Sequence, residues 1–131
     1  NIERIYAIYK SGDFAKALEL YQQMEKSYPE EFTFYYNHGH VLKEMKMMAE
    51  AIEKAKMALK YSYGDNRLRA IHLLAELQAD QGEKKSALSL IDETIKATPL
   101  PHDEKIRTHR YVARLKKLKE KIEGNGDKKT N

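Results

Sequence analysis

Apolar side chains recur every three or four residues through most of the chain, which is the period of an amphipathic helix. Ala17, Leu18, Tyr21 and Met24 form one such stripe. No segment alternates apolar and polar residues over the length of a useful strand. The pattern therefore predicts an all-α fold with seven helices, near residues 2–10, 14–27, 33–45, 48–61, 67–80, 84–97 and 103–123.

Turn-forming residues separate these helical segments. Gly12-Asp13 and Gln81-Gly82 supply a residue that tolerates positive φ, and in the first turn an acidic cap follows it. Pro29 and Pro99 close the second and sixth segments, and Gly64-Asp65-Asn66 is the clearest turn. Residues 124–131 have nothing to bury, so we expect a disordered tail there.

Small residues recur at a long, nearly constant interval. Ala17, Ala51 and Ala87 lie 34 and then 36 residues apart, each near the start of a predicted helix. A period of this length indicates stacked helical hairpins, each too small to bury its own apolar face. Since alanine lets two helix backbones approach closely, we expect these positions to be helix contacts.

Composition fits a thin helical array better than a deep spherical core. Of the 131 residues, 41% are apolar, against roughly 45–50% in an average domain, and 34% are charged. The net charge is +4, and the basic excess lies in residues 103–131. The absence of cysteine excludes disulfides and thiol catalysis. No apolar run has the length of a membrane span.

The chain resembles the tetratricopeptide repeat family over residues 2–99. The positions that carry the resemblance are Gly12-Asp13-Phe14, Ala17, Tyr21 and Pro29 in the first unit, Tyr35, Gly39, Leu42, Ala51, Ala55 and Ala58 in the second, and Ile71, Ala75, Gly82, Ala87 and Pro99 in the third. Lys46-Met47-Met48 departs from the family pattern, because it stands where a glycine turn is usual.

The resemblance implies a right-handed superhelical array over residues 1–123. Its hairpins would span 1–29, 31–65 and 66–101, and a capping helix would span 103–123. In the family the first helix of each hairpin lines a concave groove. Carried over to this chain, the predicted groove residues are Tyr6, Tyr9, Tyr36, His40, Lys43, Arg69, His72 and Glu76. The alternative interpretation makes these tyrosines and histidines half-buried packing residues with a solvated polar tip.

Such a groove implies a non-enzymatic module that binds a peptide or helix of a partner protein, without a cofactor or metal. Binding of a chaperone C-terminal carboxylate is not expected, because Leu73 stands where a second basic residue would be needed. The first residue is Asn1 rather than Met, which motivates an alternative: an accessory or self-association domain of a larger protein. The sequence identifies neither the partner nor the compartment.

The last predicted helix carries two adjacent stripes. One is apolar and the other is basic, with Arg107, Arg110, Arg114, Lys117 and Lys121 at intervals of three or four residues. A capping helix accounts for both stripes, but the basic one also suits an acidic partner, an anionic surface or a nucleic acid.

The five histidines are candidate metal ligands or catalytic groups. His38 and His40 are two residues apart and point to different helix faces, so they do not share a metal ion. We expect the histidines to be surface or groove residues. No nucleophile elbow or phosphate-binding glycine loop is present, so we expect no enzymatic activity.

Overall fold

The computed structural model describes residues 3–124 in full, and the chain divides into two compact units. Unit 1 is Asn1–Tyr63 and unit 2 is Gly64–Asn131. Within the described residues every regular element is a helix, which confirms the predicted all-α fold class. The helices are α1 (Ile2–Lys10), α2 (Phe14–Ser27), α3 (Phe32–Glu44), α4 (Met48–Lys60), α5 (Asn66–Asp80), α6 (Lys84–Lys96) and α7 (Arg107–Thr130).

The first six helices begin and end within one residue of the predicted positions, but α7 begins at Arg107 instead of Asp103. Asp103 forms a turn of its own: its side chain accepts a hydrogen bond from the Lys105 backbone N–H at 2.9 Å. Its carbonyl accepts from the Ile106 N–H at 3.2 Å. From residue 125 onward no side chain is described, so the disordered tail predicted for 124–131 lies outside the residues described in full and stays a prediction.

The turn inside each helical hairpin has the same hydrogen-bond pattern. One N–H donates to the carbonyl three residues before it, and the next N–H donates to the carbonyl five residues before it, which is the Schellman pattern. The pairs are Gly12 to Tyr9 and Asp13 to Ile8, Lys46 to Lys43 and Met47 to Leu42, and Gly82 to Ala79 and Glu83 to Gln78. The sequence period is therefore repeated in the backbone.

The three turns need a left-handed residue at the same place. Gly12 and Gly82 have φ of 100° and 83°, and Lys46 has φ of 64°. A side chain at positive φ costs roughly 1–2 kcal/mol, because Cβ approaches the following carbonyl. Lys46 thus keeps the turn geometry that its missing glycine would provide, with local strain.

In unit 1, α3 packs against both helices of the preceding hairpin and against α4. Ile5 and Tyr9 of α1, Ala17 and Tyr21 of α2, and Val41 of α3 form one buried cluster. Helix α3 also packs against α4, whose small residues Ala51, Ala55 and Ala58 are fully buried. Their burial supports the predicted role of the alanines as close helix contacts.

In unit 2, α7 packs against both α5 and α6. Its apolar stripe is buried, and the residues are Tyr111, Leu115, Leu118 and Ile122. At the start of the pair, Thr108 Oγ1 donates to the Asp65 carboxylate at 2.9 Å. On the α6 side, Lys119 Nζ lies 2.8 Å from Asp92 Oδ1. The apolar stripe therefore docks on the hairpin as predicted, and the superhelical arrangement of the whole chain stays a prediction.

Candidate binding cleft

Helix α5 presents three predicted binding residues on one face. Arg69, His72 and Glu76 are spaced by three and four residues, so they follow one side of the helix. All three are partly buried. The side chain of Arg69 is held by a hydrogen bond from Nη1 to Asn66 Oδ1 at 3.0 Å. This bond holds the Arg69 side chain beside the start of α5.

Helix α7 contributes the opposite wall. Docking of its apolar stripe on α5 and α6 leaves the basic stripe exposed, and the exposed residues are Arg107, Arg110, Arg114, Lys117 and Lys121. Thr108 meets Asp65 at the start of α5, and residues 114–121 lie opposite His72 and Glu76 farther along. The two helices therefore run in the same direction.

Between the two walls lies a cleft with a volume of about 580 Å³. It lies entirely within unit 2, and most of its lining side chains are charged. The lining residues are His72, Glu76, Arg114, Lys117, Leu118, Glu120, Lys121 and Gly124. Five of these eight residues are charged, so the cleft is more polar than most small-molecule sites, although its volume is in their range.

Positive charge surrounds the tyrosine at one end of the cleft. The Arg110 and Arg114 guanidinium carbons lie 5.5 and 5.4 Å from the centre of the Tyr111 ring. Burial alone would raise the pKa of Tyr111, but hydrogen bonds with Arg110 and Arg107 and the charges of Arg69 and Arg107 outweigh it and lower that pKa. The cationic surface therefore continues beyond the cleft toward the start of α7.

A second cleft in unit 2, with a volume of about 480 Å³, lies between α5 and α6. Its lining residues are Leu74, Gln78, Lys85, Ser86, Ser89, Leu90 and Glu93. None of the predicted binding residues belongs to it, and only Lys85 and Glu93 carry charge there. It supplies a matched control surface for experiments on the α5–α7 cleft.

In unit 1 the predicted binding residues of α3 share one face. Tyr36, His40 and Lys43 are spaced by four and three residues, and all are partly buried. The Tyr36 ring lies 4.7 Å from the His40 ring in an edge-on contact, and 5.1 Å from the Phe32 ring in a stacked contact. The aromatic side chains therefore form one rigid block.

The two predicted residues of α1 have different environments. Tyr6 is exposed, with the Lys10 ammonium 5.5 Å from the centre of its ring. Tyr9 is buried in the core cluster of unit 1, where a hydrogen bond with Glu44, together with burial, raises its pKa to about 12. Tyr9 is thus a core residue, because the aromatic stripe of α1 continues around the helix into the contact with α2 and α3. We leave it out of the proposed binding surface.

The eight predicted residues are therefore divided between the units. His72 and Glu76 lie in the α5–α7 cleft, and Arg69 lies beside Tyr111 at its end. Tyr36, His40 and Lys43 share a face of α3. A single groove that includes both sets stays a prediction.

A buried polar network in unit 1 is the feature that sequence reasoning missed. Glu25 is at its centre: its Oε2 lies 2.6 Å from His38 Nδ1, and its Oε1 accepts from Lys54 Nζ at 2.6 Å. His38 is 3% exposed and Glu25 is 7% exposed. His38 and His40 do lie on different faces, as predicted, but the expectation that His38 is a surface or groove residue is wrong.

Tyr21 lies against this network. Its ring stacks on His38 with centroids 5.3 Å apart. Burial raises the pKa of Tyr21 to about 12, and the nearby Tyr6 and Glu44 add to the effect. Among the described residues, no group forms a hydrogen bond with its buried hydroxyl. The only sequence signal for the network was a glutamate on the apolar side of α2, next to Met24.

Neither a metal cluster nor a membrane-spanning helix is found in the described part of the chain. No three histidine, aspartate or glutamate side chains lie close enough there to hold a metal ion. No described helix combines the length and apolar character needed to cross a bilayer. Comparison with known proteins found no matching family model and no matching curated protein.

Proposed function

We propose that this protein is a non-catalytic interaction module that binds a peptide or helical segment of a partner protein, with the α5–α7 cleft as the principal site. The observation that carries the proposal is the position of His72 and Glu76. Both were assigned to a groove from the tetratricopeptide resemblance alone, and both line the cleft of about 580 Å³.

The local backbone adds support for a tetratricopeptide-like array. The same turn recurs three times at the sequence period, and in each unit a helix packs against both members of the preceding hairpin. Stacking of this kind produces the extended concave surfaces that repeat proteins use for binding. The superhelical form of the array is part of the proposal.

The proposal predicts that short peptides suffice for binding. Selection from a displayed library of random twelve-residue peptides, with the full chain as target, should yield binders. The double variant His72→Ala with Arg114→Ala should bind the selected peptides at least tenfold more weakly, as measured by fluorescence polarisation. The matched control is Lys85→Ala with Ser89→Ala in the second cleft, which removes one cation as well and should leave binding unchanged.

Two outcomes would contradict the proposal. One is a library that yields no binder. The other is a binder that is lost in the Lys85/Ser89 variant and retained in the His72/Arg114 variant. Sedimentation measured over a range of concentrations checks the alternative of self-association, which predicts a concentration-dependent mass without added peptide.

The α3 face of unit 1 is tested separately. Tyr36→Ala with His40→Ala should weaken capture of a long partner segment if the binding surface includes α3. Helicity should be retained, because both residues are partly exposed. Loss of helicity instead would assign these two rings to packing.

A further inference from the structure

The charge of the α5–α7 cleft indicates the chemistry of its ligand, and this inference rests on the proposed function. Arg114, Lys117 and Lys121 line the cleft, against Glu76 and Glu120. Arg107 and Arg110 extend the cationic side beyond it, around Tyr111. Positive charge thus exceeds negative charge along this side of α7, although Glu120 also lies there.

These cations stand on a fixed support. Leu115, Leu118 and Ile122 bury the opposite side of α7, and Thr108 bonds to Asp65 at its start. Because the helix is docked along its length, little backbone entropy is lost when a ligand meets its charges. Within the described residues, Lys119 is the basic residue of α7 with a carboxylate ion pair, and Lys117 and Lys121 have none.

The length of the cationic side limits the size of the ligand. From Arg110 to Lys121 the helix rises about 16 Å at 1.5 Å per residue. An extended peptide at about 3.3 Å per residue covers that distance with five residues. The His72 ring also lines the cleft, together with the 6% of Leu118 that stays exposed.

We propose that the α5–α7 cleft binds an acidic segment of a partner protein, five or six residues long and extended, through side-chain carboxylates that meet Arg114, Lys117 and Lys121. Arginine and lysine form strong charge-assisted hydrogen bonds with carboxylates. Glu76 and Glu120 disfavour the continuous phosphate charge of a nucleic acid, whereas a peptide can place neutral residues opposite them.

The test uses the full chain and a fluorescein-labelled hexapeptide with four glutamates and two leucines, amidated at its C-terminus so that only side-chain carboxylates are present. The comparison peptide replaces each glutamate by glutamine. The glutamate peptide should bind at least tenfold more tightly, and its affinity should fall as salt rises from 50 to 500 mM. Glu76→Gln should tighten binding about two- to fivefold, because it removes a like charge from the lining.

Charge reversal locates the site. The triple variant with Arg114→Glu, Lys117→Glu and Lys121→Glu should bind the glutamate peptide at least tenfold more weakly than the parent chain. A matched variant with Lys16→Glu, Lys26→Glu and Lys96→Glu changes the net charge by the same amount at exposed positions outside the cleft. Its affinity for the glutamate peptide should fall less than threefold. If the cleft variant loses helicity, the single replacement Arg114→Gln is used, with an expected loss of about threefold.

Each opposite outcome overturns the inference. Equal affinity for the glutamate and glutamine peptides, or equal loss in the two charge-reversal variants, excludes specific recognition of carboxylates in the cleft. Tighter binding of a twelve-nucleotide single-stranded DNA than of the peptide would assign the cationic side to nucleic acid. In all these cases the proposed function survives if library-selected peptides still depend on His72 and Arg114, and it fails with the inference if they do not.

Discussion

Unit 1 holds 11 of the 12 aromatic side chains of the chain, and unit 2 holds Tyr111 alone. The interior of unit 2 is built from aliphatic residues instead, among them Leu73, Leu77, Ile91 and Leu115. Yet in both units a third helix packs against the two helices of a hairpin. The same local arrangement is therefore compatible with two kinds of core.

The two units also differ in where the ion pairs between their helices lie. In unit 1 a buried carboxylate, Glu25, joins α2 to α3 and α4 through His38 and Lys54. In unit 2 the ion pair that joins α6 to α7, between Asp92 and Lys119, lies at the surface. A buried carboxylate needs its partners, whereas solvent can replace a surface partner at little cost. We therefore expect unit 1 to depend on specific polar contacts and unit 2 on apolar packing.

The largest expected effect is at His38. Replacing His38→Ala leaves Glu25 buried with one partner fewer and removes the stacking on Tyr21, so we expect a loss of about 3 kcal/mol in the free energy of unfolding. Urea unfolding followed by far-UV circular dichroism measures it. Near-UV circular dichroism adds a local signal, since nearly all the tyrosines lie in unit 1.

Two further variants sharpen this test. Glu25→Leu with His38→Leu removes both polar side chains of the buried pair and should be less destabilising than His38→Ala alone. Asp92→Asn breaks the surface pair of unit 2 and should leave the urea midpoint almost unchanged. If His38→Ala cost no more than Asp92→Asn, the proposed dependence of unit 1 on its polar network would be wrong.

The buried alanines test what the two units share. Ala51→Leu in unit 1 and Ala87→Leu in unit 2 place a larger side chain into a fully buried helix contact. Each should cost about 1–3 kcal/mol through overpacking. Ala49→Leu is the control for Ala51, because it lies on the exposed side of the same helix. An unchanged melting temperature for Ala51→Leu would contradict the close packing of α3 and α4.

The hairpin turns at Gly82 and Lys46 should respond to substitution with opposite signs, because one change adds a Cβ at positive φ and the other removes it. Gly82→Ala in unit 2 should lower the free energy of unfolding by about 1 kcal/mol, because the φ of Gly82 is positive. No atom lies within 4 Å of the added Cβ, so the cost comes from the backbone and not from a clash. Lys46→Gly in unit 1 should raise the free energy of unfolding by about 1 kcal/mol, because it removes a Cβ from a residue with positive φ. Lys46→Ala, which keeps Cβ, should give no gain. A gain from the alanine variant would assign the effect to the lysine side chain instead of the backbone.

The smallest effect concerns the cap of α3. The Glu31 carboxylate accepts from the Thr33 backbone N–H at 3.0 Å and from the Thr33 hydroxyl at 2.8 Å, and these bonds lower its pKa below the ordinary value of 4.5. Because the pKa of Glu31 is lower in the folded state, the ionised carboxylate stabilises the fold above pH 4.5. This stabilisation is lost as pH falls through the folded-state pKa. Glu31→Ala should therefore cost about 1 kcal/mol at pH 7.

The pH dependence gives the control for this cap. The difference in the free energy of unfolding between Glu31→Ala and the parent chain should shrink as pH falls below 4.5. Glu30→Ala, which changes an exposed neighbour, should show no such dependence. In unit 2 the corresponding residue, Asp65, makes no side-chain bond to its own helix and instead holds Thr108 of α7. A pH-independent cost for Glu31→Ala would exclude the capping role.

Sequence reasoning predicted the candidate site in separate parts. His72 and Glu76 came from the family resemblance, and Arg114, Lys117 and Lys121 came from the spacing of basic residues. That the two sets line one cleft could not be read from either pattern, because they are about forty residues apart in the chain. Tyr9 shows the opposite limit: its spacing is compatible with a groove or a core, and only the position of α3 decides between them.

By itself the sequence determined the helices, the ends of the first six and the repeated turns, because these depend on residues within one or two helical turns of each other. The φ of Lys46 follows from the same local hydrogen bonds, even without glycine. The tertiary structure decided that Glu25 and His38 are buried together and that α5 and α7 form a cleft. Those features depend on which helix faces meet, and burial changes the energy of a charge far more than the local sequence does.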